Sequence, residues 1–177
     1  MTGTYPRRSG VLLLAGTIQD SIVDGPGLRF VVFTQGCPLQ CFGCHNEATW
    51  DPSGGRAVEV AQLVRELDSN PLTAGLTITG GEPTMQPLAC AQLATAARER
   101  DLNVWVYSGF TITALLRRSR WEPDLAQLLE NVNVLVAGPY VESKRSLAAD
   151  FRGSSNQLLI DMPATLRTGQ TVECVLP

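Results

Sequence analysis

Strand-like and helix-like segments alternate along most of this chain. A nearly unbroken apolar run at 28–34 predicts a strand that is buried on both faces. Apolar residues then recur at helical spacing over 60–67, and Asn70-Pro71 ends that helix. Further strands are predicted at 76–79, 103–107 and 132–136, and further helices at 87–100 and within 111–130. This order is typical of repeated βαβ units around a parallel sheet.

Turns that contain glycine follow three of the predicted strands. They are Gly80-Gly81-Glu82-Pro83, Ser108-Gly109 and Gly138-Pro139. In parallel α/β folds the loops at the carboxyl ends of the strands line the active site. We therefore expect these turns to converge on the loop that follows the strand at 28–34.

The composition is that of an ordinary globular protein. The chain has 177 residues, enough for one well-filled core and short for two, so we predict a single domain over 1–177. Its net charge is −3 and its pI is about 5.1. It lacks the clustered Lys and Arg that neutralise phosphates, so we expect no nucleic-acid partner.

Two observations bear on the cellular compartment. Arg7-Arg8 and the apolar stretch 11–15 resemble the start of a signal peptide, but the stretch is too brief and no convincing cleavage site follows it. No apolar run approaches the length of a membrane span. We therefore expect no membrane association and a cytoplasmic location, where the five cysteines are kept as thiols or metal ligands.

Three cysteines, Cys37, Cys41 and Cys44, lie within eight residues, and no fourth cysteine is near them. A cubane iron–sulfur cluster has four irons and is normally held by four thiolates. Three ligands in one tight loop would leave one iron open to bind another molecule. The pattern therefore favours chemistry at the cluster over electron storage.

Each motif also has a plainer interpretation. The three cysteines and His45 can form a structural Cys3His zinc site. Gly80-Gly81-Glu82-Pro83 can be a strand–helix turn, and it lacks the Gly-Lys-Ser/Thr ending of a phosphate-binding loop. Asp24-Gly25-Pro26-Gly27, upstream of the cysteines, can be a simple turn.

Several other side chains are interpreted as structural. Cys90 and Cys174 each share an apolar stripe with their neighbours, so we predict that both are small packed residues. Trp105 and Trp121 are predicted to be packing residues and not cofactor contacts. Arg152 is predicted either to anchor a loop or to contact a carboxylate.

The ordered set of motifs resembles a known superfamily. Cys-x3-Cys-x2-Cys after one strand, followed by Gly-Gly-Glu-Pro after the next, looks like the radical S-adenosylmethionine (SAM) superfamily. Asp24-Gly25-Pro26-Gly27 resembles the activating enzymes of glycyl-radical enzymes. The segments at 104–110, 133–136 and 152–157 are similar to activators of anaerobic ribonucleoside-triphosphate reductase. The resemblance covers about 18–160, and 161–177 is a C-terminal extension that we predict to add an edge strand.

The resemblance implies roles for the residues that match the cofactor motifs. Cys37, Cys41 and Cys44 would hold a [4Fe-4S] cluster and form the catalytic centre, with SAM bound to the open iron. The residues that match the motif for the amino group of SAM are Gly80, Gly81 and Glu82, and Ser108 matches the position near its ribose.

Residues around the third cysteine and in the upstream turn receive roles in the same way. Gly43 stands where many superfamily members have an aromatic residue, so Phe42 or His45 is expected to cover the adenine. The surface that receives the glycine loop of a partner protein would be formed by Asp24, Gly25, Pro26 and Gly27.

The implied activity is that of a radical SAM activase. An electron from the cluster would cleave SAM to methionine and a 5′-deoxyadenosyl radical, which takes a hydrogen atom from a glycine of anaerobic ribonucleotide reductase. An electron donor such as flavodoxin or ferredoxin would reduce the cluster. The alternatives are an activator of another glycyl-radical enzyme, such as pyruvate formate-lyase, and a diverged radical SAM enzyme. A non-enzymatic iron–sulfur electron carrier or zinc-stabilised binding module is a further alternative.

The expected fold is α/β, an incomplete open (β/α) barrel of radical SAM type with a parallel sheet. About five or six βα units fit this length, whereas a closed barrel of eight units typically needs about 250 residues. The open side should leave room for a protein loop to enter.

Overall fold

The computed structural model describes residues 9–175, so Arg7-Arg8 lies outside the described residues. Seven strands form one sheet: β1 Val11–Ser21, β2 Arg29–Thr34, β3 Arg56–Glu59, β4 Gly75–Gly80, β5 Asn103–Ser108, β6 Val134–Ala137 and β7 Leu158–Asp161. The helices are α1 Val60–Leu67, α2 Pro87–Arg98, α3 Ile112–Ser119, α4 Pro123–Glu130 and α5 Met162–Thr168.

The sheet has the order β3-β1-β2-β4-β5-β6-β7. Strands β2, β4, β5 and β6 are parallel neighbours, and helical crossovers connect each of them to the next. Within residues 9–175, β3 and β7 are the two edges and do not pair with each other, so the sheet does not close. The predicted open α/β barrel is confirmed.

The number of parallel strands is smaller than expected from the length. Four strands are parallel, whereas β1, β3 and β7 run antiparallel to their neighbours. The connections 22–28 and 138–157 contain no α-helix, and an antiparallel strand needs none to return along its neighbour. The apolar stretch 11–15 is therefore part of a strand, with Leu12 and Leu14 fully buried.

Alternating strand residues point to the two faces of the sheet, and all five helices pack on one of them. On that face α2 supplies four buried alanines and Cys90, which is fully buried as predicted. The other face, called here the inner face, carries Trp105, whose ring meets the Phe151 ring edge-on at 5.4 Å. Cys174 packs half-buried against this inner cluster.

Two predictions about packing need correction. Trp121 is 85% exposed, because it lies in the short turn between α3 and α4 rather than on an apolar face. The C-terminal extension contains the unpredicted helix α5, and its edge pairing is limited to a bridge between Ile160 and Glu173. Leu176, part of the predicted alternation, lies outside the described residues. Among the helices of residues 9–175, none is long and apolar enough to cross a membrane.

The two tryptophans provide a matched test of the packing. Trp105→Ala should lower the free energy of unfolding by about 3–5 kcal/mol, because it removes a fully buried aromatic side chain. Trp121→Ala should change it by less than about 0.5 kcal/mol, because that side chain faces solvent. Urea titrations followed by circular dichroism measure both values, and similar losses in the two variants would contradict the packing described here.

Candidate functional site

An open cavity of about 270 Å³ lies at the carboxyl ends of the four parallel strands. The loop after β2, the turns after β4 and β5, and the connection after β6 all contribute to its lining. These segments therefore converge as predicted, because neighbouring parallel strands end at the same edge of a sheet.

The cysteine loop after β2 forms one side of this cavity. Cys37, Cys41 and Cys44 all line it, and all three are half-buried. The start of the loop is held by backbone hydrogen bonds to the segment beyond it, from Gly36 N to Thr49 O at 2.7 Å and from Cys37 N to Trp50 O at 3.0 Å. Three thiols are thus presented to one space by a backbone that is fixed at its base.

The protonation of Cys37 reflects its position in the cavity wall. Burial raises the pKa of the Cys37 thiol, and hydrogen bonds from the backbone of Leu39 and Gln40 partly oppose this effect. A metal binds the thiolate form, so metal binding would release this proton.

The donor set suits an iron–sulfur cluster. In a cubane each thiolate binds a different iron, so the three sulfurs need not converge on one point. Among residues 9–175, no group of three His, Cys, Asp or Glu side chains has the arrangement of a site for a single metal ion. Thiols on one rim of an open cavity leave space beside them for the cluster and for a ligand on its fourth iron.

The Gly80–Glu82 turn after β4 lies directly against the cysteine loop. Gly81 N donates to Thr34 O at 2.8 Å, and Glu82 N donates to Gly36 O at 2.9 Å. A Cβ atom on Gly81 would lie only 2.5 Å from Gly36 O, so no other residue fits without moving one of the two backbones. The contact therefore requires glycine.

Glu82 is a buried carboxylate at the edge of the cavity. Its Oε1 accepts from Thr84 N at 3.0 Å, from Thr84 Oγ1 at 2.7 Å and from Ser108 Oγ at 2.9 Å. Its Oε2 accepts from Gly109 N at 2.9 Å. Burial raises the pKa of this carboxyl, and these four hydrogen bonds oppose the rise. Glu82 therefore ties the turn after β4 to the turn after β5, and Oε2 keeps capacity for a further donor.

The structure brings most of the sequence-predicted residues into one lining. Those that line the cavity are Asp24, Cys37, Cys41, Cys44, His45, Gly80, Gly81, Glu82 and Ser108. Those that do not line it are Gly25, Pro26, Gly27, Phe42 and Gly43. Phe42 is 85% exposed, so of the two aromatic candidates only His45 borders the cavity, with its ring 5.9 Å from that of Tyr140.

Several lining residues were not identified from the sequence, among them Trp50, Tyr107, Tyr140, Gly153 and Gln157. The last two belong to the 152–157 segment, whose similarity to reductase activators was the available signal. Tyr107 belongs to the 104–110 segment, which gave the same signal, whereas Trp50 and Tyr140 lie outside the matching segments.

The connection 138–157 forms a further wall of the cavity, and its Tyr140 ring lies beside His45 of the cysteine loop. Gln157 Oε1 accepts from Gly153 N at 2.9 Å and from Ser154 N at 3.1 Å, while Gln157 Nε2 donates to Gly138 O at 3.1 Å. Arg152 Nη1 donates to Gln157 O at 3.3 Å, so Arg152 anchors a loop, one of its two predicted roles. One amide side chain thus joins both ends of this wall.

Comparison with known proteins gives a consistent family. The family described as "4Fe-4S single cluster domain" matches residues 23–160. The anaerobic ribonucleoside-triphosphate reductase-activating protein of Vibrio cholerae serotype O1 is 30% identical over 146 residues, which cover 78% of this chain and 90% of that relative. The pyruvate formate-lyase 1-activating enzyme of Escherichia coli K12 is 32% identical over 120 residues, covering 64% of this chain and 46% of that enzyme.

One solved structure is also similar. QueE from Escherichia coli aligns with a TM-score of 0.48 and 17% identity, covering 57% of this chain and 53% of QueE. The sequence matches are longer and closer, and the 4Fe-4S description of the matching family agrees with three cysteines that line one cavity. The chain belongs to the 4Fe-4S single cluster domain family and to the family of anaerobic ribonucleoside-triphosphate reductase-activating proteins.

Proposed function

We propose that this protein is a radical SAM activase that generates a glycyl radical on anaerobic ribonucleoside-triphosphate reductase. The observation that carries the proposal is the backbone contact between the cysteine loop and the Gly-Gly-Glu turn in one open cavity. It supports a cluster ligand set and a SAM-binding motif within one site. When bound, the cluster supplies an electron, and SAM supplies a 5′-deoxyadenosyl radical that can take a hydrogen atom from glycine.

The cofactor-binding roles follow from the lining. Cys37, Cys41 and Cys44 would hold the [4Fe-4S] cluster. The backbone of Gly80 and Gly81, with the free acceptor position of Glu82 Oε2, receives the ammonium group of SAM. A carboxylate that is already fixed by four donors needs no reorganisation to do so, which favours binding in a defined pose.

The nucleoside end of SAM is assigned to other residues of the same cavity lining. His45 is the aromatic side chain that we assign to the adenine, in preference to the exposed Phe42. Ser108 Oγ donates its hydrogen bond to Glu82, so this hydroxyl is not free to donate to the ribose. Ser108 instead fixes the turn after β5, which lies at the position assigned to the ribose. Asp24 lines the same cavity and is assigned to the glycine loop of the partner.

The remaining context is proposed on chemical grounds. The cavity is open to solvent on one side, so a docked partner loop would both deliver the glycine and exclude water. A small electron carrier such as flavodoxin or ferredoxin is proposed as the reductant. The cytoplasm is proposed as the compartment, because free thiols persist there.

Iron binding should depend on the three loop cysteines only. Protein reconstituted without oxygen should bind about four irons per chain, and Cys37→Ala, Cys41→Ala or Cys44→Ala should each abolish a stable cluster. Cys90→Ala and Cys174→Ala are matched controls that should keep it, since neither thiol lines the cavity. Iron and acid-labile sulfide assays measure this. Stoichiometric zinc without iron, or loss of the cluster in the Cys90 variant with folding intact, would refute the ligand assignment.

SAM cleavage should depend on the close approach at Gly81. With dithionite and SAM the reduced protein should produce 5′-deoxyadenosine, and Gly81→Val should lower the rate by about tenfold or more, because the added carbons overlap Gly36. Gly16→Ala is the control, since a Cβ there meets no atom within 4 Å. Chromatographic assay of 5′-deoxyadenosine measures the rate, and an unchanged rate in Gly81→Val would contradict the proposed SAM site.

The partner should be identifiable from the radical it acquires. Anaerobic ribonucleoside-triphosphate reductase added to this mixture should show a glycine-centred radical by electron paramagnetic resonance, and pyruvate formate-lyase should not. A radical on pyruvate formate-lyase alone would show that this enzyme, and not the reductase, is the partner. 5′-Deoxyadenosine without a radical on either protein would indicate a diverged radical SAM enzyme.

A further inference from the structure

Arg29, at the start of β2, is a fully buried cation on the inner face of the sheet. Among residues 9–175 it forms no ion pair with a carboxylate. Burial lowers the pKa of its guanidinium to about 10, so the side chain stays charged at neutral pH. The Trp105 ring, whose centroid lies 5.5 Å from Arg29 Cζ, and the charge of Asp24 both favour the charged form. The hydrogen bonds of the guanidinium satisfy its buried donors and indicate what the residue does.

The guanidinium joins the two neighbouring strands to the 24–27 turn. On the strands it donates to Thr77 Oγ1 at 2.6 Å, to Leu76 O at 2.6 Å and to Asn103 O at 3.0 Å. On the turn, Arg29 Nη1 donates to Pro26 O at 3.2 Å. The planar guanidinium presents its donors in a fixed fork, so it holds strands and turn in one arrangement.

Thr77 completes this connection from the middle of β4. Its hydroxyl accepts from Arg29 Nε at 2.6 Å and donates to Asp24 O at 2.7 Å. The turn is therefore held at two backbone carbonyls, at that of Asp24 through Thr77 and at that of Pro26 through Arg29 directly.

The turn is packed tightly onto the arginine. Gly25 has φ +134°, and a Cβ there would lie 2.7 Å from Arg29 Cδ. The close approach of the Arg29 side chain thus explains why glycine occupies position 25. Asp24, the residue before it, accepts a hydrogen bond from Ser21 Oγ and lines the cavity.

We infer that Arg29 and Thr77 are positioning residues that clamp the 24–27 turn and so present the Asp24 carboxylate to the glycine loop of the partner. The inference rests on the proposed function. The Asp24 carboxylate would accept hydrogen bonds from backbone N–H groups of the partner's loop. Because the clamp already fixes this carboxylate, binding costs it little further conformational entropy.

The clamp should affect the partner and not the cofactors. Arg29 lies at the opposite end of β2 from the cysteine loop, five residue steps before Thr34, which is about 17 Å at the usual rise. Neither Arg29 nor Thr77 lines the cavity. Disturbing the clamp should therefore leave iron binding and SAM cleavage intact.

Thr77→Val is the decisive variant, because valine keeps the shape of threonine and removes only the hydroxyl. Thr73→Val is the matched control, since the Thr73 hydroxyl is also buried but has no hydrogen-bond partner among residues 9–175. In the reconstituted holoenzyme, Thr77→Val should raise the KM for the reductase by about tenfold, with kcat, iron content and partner-free 5′-deoxyadenosine formation unchanged. Thr73→Val should have the wild-type KM, kcat, iron content and rate of partner-free 5′-deoxyadenosine formation.

A double-mutant cycle tests whether Thr77 acts through Asp24. In an Asp24→Asn background, Thr77→Val should raise the KM by less than about twofold further, because the group it positions is already altered. If Thr77→Val raises the KM in the Asp24→Asn background by as much as it does in the wild type, the inference is overturned. Parallel loss of iron or of 5′-deoxyadenosine in Thr77→Val would also overturn it, since that result indicates a general structural role.

A second measurement is independent of catalysis. Amide hydrogen exchange of the 24–27 turn should be faster in Thr77→Val than in Thr73→Val, and equal rates would overturn the clamp. If the wild-type protein forms 5′-deoxyadenosine but no radical on the reductase, the proposed function fails, while the exchange experiment still decides whether the clamp exists.

Discussion

Two backbone hydrogen bonds between neighbouring loops hold the site together. Gly81 N–H meets Thr34 O, and Glu82 N–H meets Gly36 O, so the pairing of β2 with β4 continues past the ends of both strands. Because the first cysteine directly follows Gly36, this pairing fixes the thiols relative to the Gly-Gly-Glu turn. A change of register between these two strands would move both halves of the candidate site at once.

The parallel part of the fold was predictable because its signals are local. Apolar runs, helical spacing and glycine turns identified β2, β4, β5 and β6 and the segments that converge at their ends. The antiparallel strands were not identified, since β1 is long and half exposed and β7 follows a long connection without a helix. The packing prediction for Trp121 was wrong, because hydrophobicity alone does not show whether a side chain on a short turn contacts an apolar surface.

At the site, the sequence identified residues but not their contacts. Glu82 was expected to face a ligand, and it lines the cavity while accepting four hydrogen bonds from the protein, three at Oε1 and one at Oε2. Two of the donors lie 26 and 27 positions later in the chain. Likewise, nothing local distinguishes Phe42, which points to solvent, from His45, which lines the cavity. Such distinctions depend on which distant segments meet, and they require the fold.

An open sheet also has consequences for association between copies of the protein. The two edge strands are protected in different ways. The outer edge of β7 is partly covered by the chain itself, through hydrogen bonds from Asp161 N to Val172 O and from Cys174 N to Leu159 O. The outer edge of β3 has no strand beside it in residues 9–175, but β3 is only four residues long and carries exposed Arg56 and Glu59. Short length and charge both disfavour strand addition, so the barrel can stay open to a partner without inviting edge-to-edge aggregation.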